Sequence, residues 1–265
     1  MNCINCGLEV TGRFCSQCGQ GNPPRRITFS HLFEDFQASM FGFDGMLLRT
    51  VKDLTIHPGK VAKGFIEGNR VLYYKPVSYF LLVITVMLLI SSLLGIDYID
   101  YLKASTANSV DENPDVANFQ KTIINKALDP ISENLRLFTF LYIPVQAFFS
   151  RYLFFRKSGY SFVEHCVLPF YMWGHLYVTT LLSIIYFKIT GNPVSVTLTA
   201  LVYMLYFGYA SLDMFTYQSK LKAFLKGVGI YLAIQILIVL VAMIATVIAL
   251  LLSPELMNQF KSPGK

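Results

Sequence analysis

Beyond residue 76 the chain is organised as five apolar runs, each long enough to cross a bilayer. They fall at about 77–96, 137–155, 163–187, 194–212 and 227–252. The first carries no charge, and the second has Arg151 near one end, where a long side chain can snorkel. The last run, roughly 26 residues or about 39 Å of helix, exceeds a hydrocarbon core of about 30 Å and is expected to tilt or protrude. Ahead of the first run the pattern is different. Phe29, Leu32, Phe33, Phe36, Met40 and Phe41 recur at helical spacing, then Leu47, Leu48, Val51 and Leu54, then Val61, Ala62, Phe65 and Ile66. These stripes predict amphipathic helices that either lie in the inner membrane interface or pack on the ends of the spans.

Five such runs in succession leave too little polar chain to cover them as soluble helices. The expected fold is an all-α membrane protein: about five transmembrane helices, interfacial amphipathic helices and a small N-terminal zinc ribbon. The boundaries read as ribbon 1–20, linker 21–27, interfacial helices 28–75, membrane domain 76–253 with an outer loop 97–135, and a tail 254–265. That loop is acidic and is expected to be partly helical from about 116 to 135.

Composition agrees. The hydrophobic fraction is 54% and the charged fraction 14%, against roughly 45–50% and about 25% in soluble domains. Mean hydropathy is +0.49. An ordinary soluble enzyme, a disordered chain and a disulfide-stapled secreted scaffold are excluded.

The net charge of +6 suggests a nucleic-acid partner only until its distribution is read. Nine Lys and Arg precede residue 77, and three more stand in each of the connections between spans two and three and spans four and five. The opposite side holds seven, with Asp97, Asp100, Asp111, Glu112, Asp115, Asp129 and Glu133 in its long loop. The bias predicts a cytoplasmic N-terminus and an outside C-terminus. The positive charge is a topology signal, and no nucleic-acid partner is expected.

Four of the five cysteines lie in the first eighteen residues, as Cys3-Ile4-Asn5-Cys6-Gly7 and Cys15-Ser16-Gln17-Cys18-Gly19. Two C-x-x-C pairs, each closed by glycine, are the pattern of paired zinc knuckles, in which a tight turn aims two thiolates at one ion. Four thiolates fill a tetrahedral Zn²⁺ and leave no open position, so the expected role is structural. So short a module cannot bury a core, and the metal must supply its folding free energy. Reduced thiols again place this end in the cytoplasm. Residues 1–20 carry one basic side chain, Arg13, and one acidic, Glu9. A neutral face of that kind suits a cytoplasmic protein partner better than phosphate.

Ionisable groups within or at the edge of a span are costly and become functional candidates. Arg151, Glu164, His165 and Asp213 all fall at the inner boundary by topology, and His175 lies three turns after Glu164 on the same face. They read in three ways: as local neutralisation, as a polar site of a small transporter or lipid-handling permease, or as an intramembrane enzyme. No recognised catalytic motif supports the third. The leading expectation is a non-enzymatic membrane scaffold or adaptor with a zinc-ribbon docking module; the alternative is the permease with a cytoplasm-facing site.

One resemblance bears on this. An N-terminal C-x-x-C-G and F-C-x-x-C-G-Q ribbon is followed by Pro58-Gly59. After it come Gly64-Phe65-Ile66-Glu67-Gly68-Asn69-Arg70 and Tyr73-Tyr74-Lys75-Pro76 at the entry to the first span. With Glu164-His165 opening the third, these segments resemble an uncharacterised bacterial family of multi-spanning inner-membrane proteins. The resemblance implies a bacterial plasma-membrane protein and supplies no activity.

Overall fold

The computed structural model describes residues 2–21, 45–107 and 135–252. The stripe Phe29–Phe41, the linker after Gly21, the helix expected near 116–135 except its last residue, and the C-terminal tail lie outside the described residues. Within them the chain is helical, apart from a compact cysteine module at 2–21 that contains two isolated antiparallel bridges.

The helices are α1 (Gly45–Ile56), α2 (Pro58–Ile66), α3 (Pro76–Leu93), α4 (Tyr98–Ala107), α5 (Leu135–Phe148), α6 (Phe162–Thr190), α7 (Val196–Met214) and α8 (Lys220–Leu252). Four are long and apolar enough to cross a membrane: α3, α6, α7 and the Lys220–Val241 part of α8. They make this an all-α membrane protein. The second expected run is divided. It is α-helical for 14 residues as α5 and then winds as a π-helical segment, Phe149–Phe154, in which the Phe155 N–H bonds the Ser150 carbonyl five residues back. Pro144, which has no N–H to donate, sits inside α5 one turn before the change of winding.

The end signals are local. Ser161 caps α6 and Gly191 ends it at φ +73°. Pro76 occupies the first turn of α3, where its missing N–H costs nothing. Asp97 opens α4 by accepting the Ile99 N–H at 2.7 Å. That helix lies in the acidic loop, ahead of the part expected to be helical, and Tyr101 lays its ring on Phe187 of α6.

The bundle is held by two close pairings, α3 with α6 and α7 with α8. Small residues make both possible. Gly174 of α6 receives the Tyr79 ring of α3, and Gly227 of α8 lies against the Phe207 carbonyl and Gly208 of α7. Where lipid tails are as apolar as the helices, such backbone approach supplies the attraction that hydrophobicity cannot.

α1 and α2 form a corner driven into the ends of these spans. On α2, Pro58, Gly59, Val61, Ala62, Phe65 and Ile66 are all buried, against α6 and α7. Of the two placements the stripes allow, α2 takes packing on the spans, while α1 keeps Leu48 and Ile56 exposed. The following Tyr-Tyr-x-Pro entry is tied at both backbone groups of Tyr74: its N–H bonds Thr50 Oγ1 at 2.8 Å, and its carbonyl accepts the Tyr171 hydroxyl at 2.7 Å.

Candidate functional site

The cysteine module is two copies of one turn, twelve residues apart. Cys3 N–H bonds the Leu8 carbonyl at 2.7 Å and Gly7 N–H the Cys3 carbonyl at 2.9 Å. Cys15 N–H bonds the Gln20 carbonyl at 2.8 Å and Gly19 N–H the Cys15 carbonyl at 2.9 Å. Gly7 and Gly19 have φ of +77° and +71°, left-handed backbone that glycine adopts without strain and that lets each turn close on its sulfurs. The second half of each turn aims an N–H at sulfur, Leu8 to Cys6 and Gln20 to Cys18.

All four sulfurs lie within 4.8 Å of one another. Cys3 to Cys18 and Cys6 to Cys15 are each 3.5 Å apart. A tetrahedron with metal–sulfur bonds of about 2.3 Å has edges near 3.8 Å, so the donor set fits a four-coordinate ion. The Cys18 thiol is held down to about 6, first by the Gln20 N–H and next by the Asn5 side chain. Although the Leu8 N–H favours its thiolate, burial and the hydrogen bonds of Cys15, Cys18 and Cys3 push Cys6 up to about 12. A divalent cation among the four removes that penalty, because each thiolate then faces positive charge.

The polar residues singled out at the inner boundary go to separate places. Glu164 completes a capping box on α6: its Oε2 accepts the Ser161 N–H at 2.6 Å and its own N–H bonds Ser161 Oγ at 3.3 Å. His165 is buried between two serines, with Nδ1 2.8 Å from Ser150 Oγ and Nε2 2.9 Å from Ser158 Oγ. Arg151 donates to the Arg156 carbonyl at 3.1 Å and lies over the Tyr152 ring. Asp213 pairs with His57 at 3.8 Å. His175 spans Tyr79 OH at 3.3 Å and Thr55 Oγ1 at 3.2 Å.

His165 borders a small cavity together with Gln146, Ser150 and Ser211, and the other four do not line it. Its volume is about 10 Å³, room for one water and no solute.

Two groups of residues escaped the sequence reading. Tyr206 and Tyr209 of α7 cap α1: they donate to the Leu54 carbonyl at 2.8 Å and the Ile56 carbonyl at 2.5 Å. With Ala210 and Asp213 they follow one face of α7, the face that receives the α1–α2 corner. The second is Gln20, buried at 5% exposure. Its signal lay in the repeat, where a buried amide stands at the position that Leu8, half-exposed, fills in the first copy.

If Glu164 is a cap, Glu164→Gln should unfold close to the parent in detergent, since glutamine also closes a capping box. Ser161→Ala should cost about 1 kcal/mol. A Glu164→Gln loss larger than that of Ser161→Ala would contradict the assignment.

A profile of the family described as "Protein of unknown function (DUF3667)" matches residues 44–88. That segment is the α1–α2 corner, the Tyr-Tyr-x-Pro entry and most of α3. No curated protein and no solved structure matches the chain.

Proposed function

We propose that the chain is a multi-pass scaffold of the bacterial inner membrane, N-terminus in the cytoplasm and C-terminus outside. Its N-terminal module holds one Zn²⁺ and presents a docking face to a cytoplasmic protein. The closed set of four thiolates within 4.8 Å carries this reading. A metal with every position taken by sulfur has no site for water or substrate, so its contribution is to hold a shape. Cys3, Cys6, Cys15 and Cys18 would supply the ligands, and the Leu8 and Gln20 N–H groups would share their negative charge. The turns leave Ile4, Leu8 and Phe14 exposed, Phe14 by 70%. Apolar tips on a nearly neutral module suit a protein surface better than a phosphate backbone.

The fate of the polar residues supports a scaffold over a permease. Among the described residues each has its own local partner, and of the five only His165 lines the small cavity beside Ser150 and Ser211. The distribution of Lys and Arg supports the orientation.

Elemental analysis of the purified full-length protein should return one zinc per chain. An N-terminal epitope should react with antibody only after the inner membrane is permeabilised. Partners recovered with the parent should be lost with the Cys3→Ser/Cys15→Ser variant. A metal-free protein, an epitope reached from outside, or unchanged partners would each overturn the corresponding part.

A further inference from the structure

We propose that the cysteine module is a metal-dependent clamp on its own membrane domain, with Gln20 as the latch. The proposal deepens the reading above and rests on the module holding a metal ion. The Gln20 backbone belongs to the second knuckle: its carbonyl receives the Cys15 N–H and its N–H points to the Cys18 sulfur. The Gln20 side chain belongs to the other body. Nε2 donates to the Gly68 carbonyl, and Oε1 accepts the Arg70 N–H at 3.1 Å. One primary amide therefore completes both hydrogen bonds of a turn 48 to 50 residues away.

That turn is the C-terminal end of α2, where the chain reverses through Gly68 at φ +111°. Asn69 N–H reaches back to the Gly64 carbonyl, and Arg70 N–H has the Gly68 carbonyl, two residues back, as its other acceptor. Gly68 and Arg70 lie just past the helix end, and backbone polar groups buried there need partners. Gln20 adds a donor to the Gly68 carbonyl and an acceptor to the Arg70 N–H, and it is buried in doing so. Beyond the turn, α2 is wedged between α6 and α7, with Lys63 Nζ on Thr216 Oγ1 at 3.0 Å and Gly59 against the Ala210 carbonyl. Among the described residues Gln20 thus joins the cysteine module to this turn, and α2 carries the connection on to α6 and α7.

The coupling follows from the module's size. Its buried apolar residues are Cys3, Val10 and Cys15, with Cys18 packed beside them. Two of the three are metal ligands, so no core remains to hold the turns once the ion leaves. Gln20 then loses the backbone geometry that aims its amide, and the α2 terminus loses a donor and an acceptor together. The zinc state of the cytoplasm is in this way written into the order of the turn that precedes the first span.

Hydrogen–deuterium exchange on the full chain in lipid nanodiscs tests this, with metal content measured on the same samples. Chelation that takes zinc from one per chain to none should speed exchange of the 67–71 amides at least tenfold. Gln20→Ala, which retains the backbone N–H, should keep its zinc and show the same acceleration without chelator. Protection unchanged in zinc-loaded Gln20→Ala removes the latch. Protection unchanged after the zinc has gone removes the coupling. If the parent binds no zinc while Gln20→Ala still accelerates exchange, the metal reading fails and takes the clamp's dependence on the ion with it.

Discussion

Gly59→Ala is expected to lower stability by about 3 kcal/mol or more, at the upper end of what one added methyl does in a packed interior. A Cβ at this position would stand 2.1 Å from the Ala210 carbonyl oxygen, 2.8 Å from the Met214 nitrogen and 2.9 Å from Asp213 Cβ. The two nearest are backbone of α7, which no rotamer change can move aside. Either α2 withdraws from α7 or α7 bends, and both disturb the carbonyl caps that Tyr206 and Tyr209 place on α1. Gly64 in the same helix supplies the control. Its Cβ would meet nothing within 4 Å, so Gly64→Ala should stabilise by roughly 0.5–1 kcal/mol through the entropy of the unfolded chain. Thermal unfolding of both variants in detergent decides the matter. Equal midpoints would mean that the corner is not seated as described.

Cys15→Ser is expected to empty the metal site and unfold residues 2–21 while the bundle persists. Cys15 is the most buried of the four ligands, and its N–H closes the second turn on Gln20. A serine hydroxyl stays protonated at neutral pH and is a poor ligand for a soft site. Structural zinc in so small a module supplies on the order of 10 kcal/mol, which its few buried apolar groups cannot replace. Zinc per chain should fall from one to near zero against a competing chelator, and amide protection at Gly7 and Gly19 should vanish. Cys166→Ser, which changes a buried thiol of α6 outside the four-sulfur cluster, should retain both. A Cys15→Ser protein that keeps its ion and its protection would show that the four thiolates are not the ligand set.

How far each feature could be read from the chain depended on how local its cause was. The apolar runs and the two C-x-x-C-G turns are written within a few residues of where they act, and each was legible. The Ser161 cap with Glu164 is just as local, but in the sequence Glu164 reads as an ionisable group and not as a capping partner. The Asp97 cap was equally local, yet the acidic loop around it drew attention to charge and away from its helix-starting role. The division of the second run was not legible as a change of winding, since Pro144 inside an apolar stretch marks a disturbance without saying what form it takes. The polar residues show where such reading stops. Arg151, Glu164, His165 and Asp213 share a level in the membrane, but level is one coordinate, and side chains at one depth can face in different directions. Glu164 faces its own N-terminal turn, Asp213 faces His57, and His165 faces Ser150 and Ser158.

By itself the amino-acid order determined that this is an all-α membrane protein and that four thiols stand at metal-ligand spacing. Hydropathy and short-range backbone geometry act over a few turns of chain and need no partner from far away. The tertiary structure alone decided that α2 is a wedge in the bundle, that Tyr206 and Tyr209 are helix caps, and that Gln20 bonds a turn some fifty residues on. Each of these joins a donor to an acceptor, or a missing Cβ to a neighbouring backbone, across a separation at which sequence carries no distance information. Only packing sets which groups meet.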